Sequence, residues 1–329
     1  MTANTVNGSG NGARSGAQTL VLLATPLNYL ILRALSEGPR QQAELRRDTG
    51  SPAQTTLRAQ LKRLTEVGTI SKERRNRFPG VLEYELTAAG RDLLFVIGAL
   101  ERWLAVAPSG PLRLGDNAAK AAIKALVESW STKMLRALAA RPLSLTDLDR
   151  IIGDLSYPAL ERRLAALRLS SQIEAQPSNG RGTPYAVSDW GRRGIAPIAA
   201  AARWERQHRP TLTAPVSRHD AEAVFLLATP LLRLPVETAG SCRMGVTFPS
   251  SGEHRLSGVM LEVEAGTVVS CATRLQGHPD AWALGPSAGW LNAVIEQDHS
   301  GLELGGDCRL ARSLLEGLHS ALFGDPVRA

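Results

Sequence analysis

The chain has 329 residues, of which 43% are hydrophobic and 21% are charged, and its formal net charge is +7. This length favours two or three domains, because one domain usually holds about 100–200 residues, and the composition excludes a largely disordered protein. Arginine or glutamate interrupts every apolar run before it reaches the roughly 20 residues that a bilayer requires. The sequence therefore predicts a cytoplasmic protein that has no membrane partner.

The charge is unevenly distributed along the chain. Residues 1–108 carry +5 and residues 109–217 carry +7, whereas residues 218–329 carry −5. Basic segments attract polyanions, so the front of the chain favours such a partner. Residues 1–16 are rich in Gly, Ser, Asn and Thr and lack the apolar core of a signal peptide, so they predict a disordered tail.

Three helices are predicted after this tail. Apolar side chains at helical spacing indicate the first, with Leu27, Leu30, Ile31 and Leu35, which stops at Gly38-Pro39. A short helix follows at residues 41–49. Ser51 as N-cap and Pro52 at the first helical position then predict the start of a third helix. Its apolar stripe consists of Leu57, Leu61 and Leu64.

A hairpin and a closing helix come next. Strand-like runs at residues 70–74 and 82–86 are separated by a bend at Pro79-Gly80. A last helix is predicted at residues 88–105. Three helices, a hairpin and a closing helix make a winged helix-turn-helix domain, predicted over residues 17–108, whose wing is the hairpin.

This pattern is repeated about a hundred residues later. The tetrapeptide LRAL at residues 32–35 recurs at residues 135–138, an offset of 103. Leu45, Gly50, Leu57, Leu61, Leu64 and Ile70 meet identical residues at that offset, and Tyr84, Gly90-Arg91 and Arg102-Trp103 do so at an offset of 101. Self-similarity at a fixed offset indicates duplicated units. A second winged helix-turn-helix domain is therefore predicted over residues 118–210.

The first copy resembles a known family. Residues 63–70 (RLTEVGTI) and 79–90 (PGVLEYELTAAG) are similar to the wing region of HxlR-type regulators of the MarR superfamily, and residues 99–103 (ALERW) stand in place of that family's aromatic-rich terminal helix. The second copy is similar in outline through residues 185–192 but replaces the proline-containing wing with residues 178–182 (SNGRG). The resemblance implies a transcriptional repressor, although activation remains open.

Candidate DNA contacts follow from the helix periodicity. With the leucine stripe turned inward, the third helix presents Gln54, Thr55, Arg58 and Lys62 outward. Glutamine pairs with adenine and arginine with guanine, whereas lysine suits phosphate. The adjoining wing adds phosphate-binding candidates, namely Lys72, Arg74, Arg75 and Arg77. The alternative is an ordinary solvated helix face.

The second copy differs at the corresponding positions. Tyr157, Pro158 and Glu161 replace Gln54, Thr55 and Arg58, so this helix either reads DNA differently or mainly packs. Its candidate DNA contacts are Tyr157, Arg162, Arg163 and Arg181. Two copies in one chain would act as an intramolecular pseudo-dimer, or the chain would form a homodimer with four copies; the sequence leaves both open.

The last third has an α+β pattern. Helical patterns are predicted at residues 221–234, 279–282, 290–296 and 309–322, and strands at residues 244–248, 258–263 and 267–272. Residues 261–266, 280–282 and 302–311 follow the order of the sterol-carrier-protein-2-like family, which this part resembles over residues 218–324. The fold class is therefore α+β and multidomain.

That resemblance implies an apolar cavity for a lipid-like or polycyclic molecule. The candidate lining residues are Met244, Phe248, Met260, Trp282 and Trp290. Their alternative role is ordinary core, since large apolar residues are usually buried without touching a ligand. Trp290 is the strongest candidate, because it follows a loop.

The sequence carries no sign of catalysis. Metal-ligand spacing, a phosphate loop, a nucleophile elbow and paired carboxylates with a supporting histidine are all missing from it, so neither an enzyme nor a cofactor is expected. Cys242, Cys271 and Cys308 are widely spaced and predict buried free thiols. The leading hypothesis is a DNA-binding regulator that responds to a small hydrophobic effector. The alternative is a protein that sequesters a toxic metabolite for self-resistance and binds DNA only weakly.

Overall fold

The computed structural model describes residues 15–75, 81–131, 133–178, 182–211, 215–249 and 255–324. Three consecutive units follow one another: a first unit at residues 17–105, a second unit at residues 117–208 and a C-terminal unit at residues 218–323. Among the described residues, no single helix is long and apolar enough to cross a membrane; only the first two helices taken together, bent by 82°, meet that length and composition.

The first unit contains five helices and a three-stranded antiparallel sheet. In chain order these are α1 (Ala17–Leu23), α2 (Pro26–Ser36), β1 (Arg40–Gln41), α3 (Gln42–Asp48), α4 (Gln54–Val67), β2 (Ile70–Arg75), β3 (Val81–Leu86) and α5 (Ala88–Ala105). The strand order is β1-β3-β2. The predicted closing helix at residues 88–105 is confirmed.

Two local predictions for this unit are wrong. α4 begins at Gln54 with Ala53 as N-cap, and Ser51 lies two residues earlier in a left-handed backbone conformation with φ of 55°. The inward stripe of α2 consists of Ile31, Leu32 and Leu35, whereas Leu30 is 37% exposed.

The second unit repeats this order of elements. It contains α6 (Asn117–Ser131), α7 (Met134–Ala140), α8 (Leu145–Ile151), α9 (Tyr157–Leu169), β4 (Ile173–Ala175), β5 (Tyr185–Val187), α10 (Asp189–Arg193) and α11 (Ile195–His208). A single bridge joins Leu143 to Tyr185 at the place where β1 pairs with Tyr84 in the first unit. The closing helix is divided at Gly194 into α10 and α11.

The junction between hairpin and closing helix is the same in both units down to individual hydrogen bonds. The Thr87 hydroxyl accepts from the Gly90 amide and donates to the Gly68 carbonyl, at 3.1 and 2.6 Å. The Ser188 hydroxyl accepts from Gly191 and donates to Ser171 in the same way, at 3.1 and 2.8 Å. The two N-caps therefore start equivalent helices.

The first two units pack against each other through α5 and α11. The indole N–H of Trp103 donates to the Trp190 carbonyl at 2.9 Å, and that of Trp204 donates to the Ala89 carbonyl at 2.8 Å. Trp103 and Trp204 occupy equivalent positions at the offset of 101, as do Ala89 and Trp190. The two hydrogen bonds are thus related by an approximate two-fold axis, and α5 and α11 run antiparallel.

Two further contacts strengthen this pairing. The rings of Trp103 and Trp190 stack with their centroids 4.7 Å apart. The buried carboxylate of Glu205, on α11, accepts from the backbone amides of Gly16 and Thr19 at 2.6 and 3.0 Å. Because the first amides of a helix lack partners within it, Glu205 caps α1 from the other unit.

The C-terminal unit is a five-stranded sheet with helices packed on it. Its elements are α12 (Arg218–Ala228), β6 (Gly240–Phe248), β7 (Arg255–Glu264), β8 (Thr267–Ala272), β9 (Ala281–Gly285), α13 (Ser287–Glu296), β10 (Glu303–Gly306) and α14 (Cys308–Phe323). The strand order is β10-β9-β6-β7-β8, in which only the β6–β9 pair is parallel.

Two sequence predictions for this unit need correction, and one strand was not predicted. Residues 279–282, expected to be helical, enter strand β9. The helix predicted at residues 221–234 ends at Ala228 and is followed by a 3-10 turn, Thr229–Leu231. Strand β10 was not anticipated, because two of its four residues are glycines, which strands usually lack.

Candidate nucleic-acid interface

Helix α4 has one buried side and one exposed side. Leu57, Leu61 and Leu64 are buried and pack into the first unit. The four predicted base or phosphate contacts, Gln54, Thr55, Arg58 and Lys62, are all exposed. Lys62 lies 3.8 Å from Glu66, but both side chains are mostly exposed, so this contact restrains the lysine little. The outward side of α4 is therefore free to meet a ligand.

The wing has a basic face and an acidic face. Lys72 lies opposite Tyr84 and Arg74 lies opposite Leu82, so these side chains share one face of the β2–β3 hairpin. Glu73 lies opposite Glu83 on the other face. Lys72, Arg74 and Glu73 are all exposed. Among the described side chains of the wing, the positive charge thus lies on the face of Lys72 and Arg74.

The basic face of the wing adjoins α4. Tyr84 is buried, which raises the pKa of its hydroxyl, and the Arg58 guanidinium acts in the opposite direction because it lies nearby. Arg58 therefore lies beside the wing face that carries Lys72 and Arg74, and these three residues are called the basic strip. The sequence signal for this basic strip is the alternation of basic with other polar residues along β2, in the order Ser71, Lys72, Glu73 and Arg74. The Arg75 side chain and Arg77 lie outside the described residues.

The corresponding surface of the second unit is different. Tyr157 is 46% exposed, and Glu161 and Arg162 are exposed on α9. Arg163 lies at the edge of the buried leucine stripe, with Nη1 enclosed and without a hydrogen-bond partner in the described part of the chain. Arg163 is thus only partly exposed, and its contact with phosphate stays a prediction. Arg181 lies outside the described residues.

With this geometry established, comparison with known proteins identifies the first unit. Residues 22–107 match the HxlR-like helix-turn-helix family. The first unit is an HxlR-type helix-turn-helix domain. The match covers about a quarter of the chain.

Similar proteins occur in mycobacteria. An uncharacterized HTH-type transcriptional regulator of Mycobacterium bovis and one of Mycobacterium tuberculosis H37Rv are each 37% identical to this chain over 89 residues. Another, from Mycobacterium tuberculosis CDC 1551, is 36% identical over the same length. The aligned part covers 27% of this chain and 56% of each of the first two regulators, so the chain spans about half the length of these relatives.

An apolar cavity lies between the second unit and the C-terminal unit. Its volume is about 100 Å³. Ile198 and Ala202 on α11, Phe225 on α12, Trp290 on α13 and Leu318 on α14 contribute to its wall. Cavities between domains are common ligand sites. Because its wall comes from both units, an occupant would contact both at once.

The structure brings only one of the five predicted ligand-binding residues to this cavity. Trp290 lines it and donates its indole N–H to the Gly245 carbonyl at 2.9 Å. Met244 is fully buried in the core, and Phe248 is half-buried at the end of β6. Met260 and Trp282 both lie opposite Arg243, so strand alternation places them on the other face of the sheet from Met244. The expectation of one shared pocket is therefore corrected.

Polar groups lie beside one part of the cavity wall. The Ser15 and Ser287 side chains line it, and Arg206 Nη2 donates to the Ser287 hydroxyl at 3.0 Å. Burial lowers the pKa of the Arg206 guanidinium, since the charged form loses hydration. Arg206 Nε and Ser15 Oγ are buried and have no hydrogen-bond partner among the described residues.

The C-terminal unit is attached to both other units. The Glu222 carboxylate on α12 forms an ion pair with Arg136 on α7 and accepts from the Ser257 hydroxyl at 2.9 Å. Arg192 Nη1 donates to the Leu226 carbonyl at 2.9 Å. Phe323 stacks on Phe95 of the HxlR-type unit, with ring centroids 5.7 Å apart.

Histidine, cysteine and acidic side chains among the described residues are the candidates for a metal-ligand cluster or a reactive thiol. No group of three His, Cys, Asp or Glu side chains among them could hold a metal ion. The three cysteines are free thiols. Burial raises the pKa of Cys242 to about 12 and also raises that of Cys271, so both thiols stay protonated at neutral pH. Cys308 is exposed at the start of α14, contrary to the prediction that it is buried.

Proposed function

We propose that this chain is a DNA-binding transcription regulator whose first unit reads duplex DNA. The observation that carries the proposal is the exposed side of α4, which continues into the basic strip of Arg58, Lys72 and Arg74. The HxlR-type match over residues 22–107 supports it. In such folds a helix enters the major groove while the wing contacts phosphates. Glutamine and arginine on α4 have the donors and acceptors to read base edges.

We further propose that the second unit is another winged helix-turn-helix copy, held as an intramolecular partner of the first. The support is the repeated N-cap geometry and the paired tryptophan hydrogen bonds between the two closing segments, α5 and α10–α11. Single-domain relatives need two chains to present two such units. Here the second unit contributes less affinity, because Glu161 repels phosphate where the first unit has Arg58.

The C-terminal unit is proposed to sense a small hydrophobic effector and to control repression. The cavity supports this role, since its wall is shared by α11 and the C-terminal helices. Drug-sized ligands usually occupy about 300–1,000 Å³, so the observed 100 Å³ favours a small molecule over a polycyclic one. An effector that prefers one arrangement of the units by about 1–3 kcal/mol would change DNA affinity. The sterol-carrier-protein-2-like assignment, the cytoplasmic location and the absence of catalysis belong to the same proposal.

The test is a titration of the purified chain with DNA from upstream of its own gene, at two salt concentrations and with unrelated DNA as competitor. We expect specific binding that weakens steeply with salt. Arg58→Ala is expected to weaken specific binding by about 1–3 kcal/mol. Arg312→Ala is the matched control, because it removes one exposed positive charge on α14. Equal and weak binding to both DNAs would contradict the proposal and favour metabolite sequestration by the cavity.

A further inference from the structure

The polar groups beside the cavity lack the partner that their chemistry requires. Arg206 forms no ion pair within the described part of the chain, and its Nε–H is buried without an acceptor. The Ser15 hydroxyl is also buried without a partner. A buried cation or donor without a partner costs free energy, and such groups usually have one. The cavity therefore lies beside two hydrogen-bond donors that lack an acceptor among the described residues, Arg206 Nε and the Ser15 hydroxyl.

Two acidic residues are candidates for this acceptor. Glu205 adjoins Arg206 in the sequence, and Asp220 lies in the cavity wall, but both carboxylates accept from other groups. Glu205 precedes Arg206, but its carboxylate accepts from the Gly16 and Thr19 amides at the start of α1. Asp220 belongs to the cavity wall, yet its carboxylate caps α12 by accepting from the Ser217 amide and hydroxyl at 2.9 and 2.6 Å. Neither carboxylate therefore accepts from Arg206 Nε or from the Ser15 hydroxyl.

We propose that the cavity binds a small amphipathic carboxylate. Its carboxylate accepts from Arg206 and from the hydroxyls of Ser15 and Ser287, and its apolar part lies against Phe225 and Trp290. Arginine matches a carboxylate with two parallel hydrogen bonds. An engineered cavity of about 150 Å³ holds benzene, so a cavity of about 100 Å³ suits a short aliphatic chain. This inference rests on the proposed function in one respect, namely that the cavity is the site where the effector binds.

The test is calorimetric titration of the full chain, without DNA, with hexanoate and with hexan-1-ol. The two probes share an apolar chain and differ in the charged head group. We expect hexanoate to bind at least tenfold more tightly than hexan-1-ol. Arg206→Met keeps an apolar stem and removes the charge, so it is expected to abolish the preference for hexanoate over hexan-1-ol. Arg312→Met, on the exposed side of α14, is expected to behave as the wild type.

Several results would overturn the inference. These are equal binding of the two probes, binding of neither probe, and a hexanoate affinity that survives Arg206→Met. If Arg206→Met fails to fold, Ser287→Ala serves instead; it removes the hydroxyl that holds Arg206 Nη2 and is expected to weaken hexanoate binding severalfold. Because no DNA is present, a negative result leaves the DNA-binding proposal intact, and a failure of DNA binding leaves this result intact.

Discussion

Gly90 and Gly191 occupy equivalent positions, each at the start of a closing helix. A Cβ atom on Gly90 would lie 2.0 Å from the Thr69 carbonyl oxygen, and one on Gly191 would lie 2.2 Å from that of Gln172. Neither backbone can yield without separating the hairpin from the helix. We expect Gly90→Ala and Gly191→Ala each to lower the free energy of unfolding by about 2 kcal/mol or more, as overpacking does. Urea unfolding followed by circular dichroism measures this.

Gly98, in the middle of α5, is the matched control for these substitutions. A Cβ atom there meets only the Arg102 guanidinium at 3.7 Å. Gly98→Ala is therefore expected to raise the free energy of unfolding by about 0.5–1 kcal/mol through helix propensity. Equal effects at positions 90 and 98 would contradict the close approach seen at Gly90.

At the scale of single residues, the sequence predicted which side chains of α4 face outward, since the leucine spacing determines it. It did not predict that Arg163 is only partly exposed. That residue lies three positions after Leu160 and four before Leu167, so the partly buried edge of the stripe holds it. The positions of Met260 and Trp282 depend on which face of the sheet the helices cover, which no local pattern gives.

The two faces of the wing lead to a prediction for an element as a whole. Lys72→Ala and Arg74→Ala should each weaken binding to all DNA sequences and reduce the salt dependence by about 0.9 in the log–log slope, as the loss of one phosphate contact does. Glu73→Gln, on the opposite face, should leave that slope unchanged. Filter-binding or anisotropy titrations across a salt series measure the slopes. A slope that changes for Glu73→Gln but not for Lys72→Ala would contradict the assignment of the faces.

Asp280 connects the starts of β6 and β9. Its carboxylate accepts from the Ser241 amide and hydroxyl, both at 2.8 Å, and these hydrogen bonds hold its pKa below the usual value. A carboxyl group with a lowered pKa in the folded state stabilises it above the unfolded pKa, and the stabilisation is lost as pH falls through the folded pKa. Asp280→Asn should therefore lower the thermal midpoint at pH 7, and the difference from the wild type should vanish in strong acid.

Ser241→Ala is the control for Asp280→Asn. It removes one of the two hydrogen bonds to the carboxylate and keeps the backbone donor, so we expect a smaller effect with the same pH dependence. A thermal difference that persists unchanged at low pH would show that Asp280 acts through something other than its charge.

Elements with a strong local pattern were predicted well, and elements that depend on distant pairing were not. The leucine and alanine content of α5 and the Gly68 C-cap of α4 mark these helices without help from the rest of the chain. Strand β9 exists because it pairs with β6 on one side and β10 on the other. These two neighbouring strands lie about forty residues before β9 and about twenty residues after it in the sequence, so a short stretch of sequence around β9 contains neither of them.

At the scale of the whole molecule, the paired units predict the oligomeric state. Because the second unit already covers α5, a homodimer built through that helix is blocked. We expect a monomer of 35.2 kDa at micromolar concentration, free or bound to one DNA duplex. Light scattering coupled to size-exclusion chromatography measures the mass directly. A stable dimer that persists on dilution would contradict the intramolecular pairing as the functional unit.

The sequence repeat predicted two units, but not how they meet or where the cavity lies. Trp103 and Trp190 are 87 residues apart, and the cavity combines Ile198 with Leu318. Such contacts arise from packing between units, so composition and periodicity carry no trace of them. The predicted acidic C-terminal part does contact the basic second unit, through Glu222 and Arg136.

The tryptophan hydrogen bonds hold together two units whose reading helices are not copies of each other. A homodimer offers the same helix twice, so its target must be a palindrome. In this chain Gln54 and Arg58 on α4 correspond to Tyr157 and Glu161 on α9. A chain with two different recognition helices suits an asymmetric DNA site. The sequence of each half-site can then change during evolution without a matching change in the other half-site.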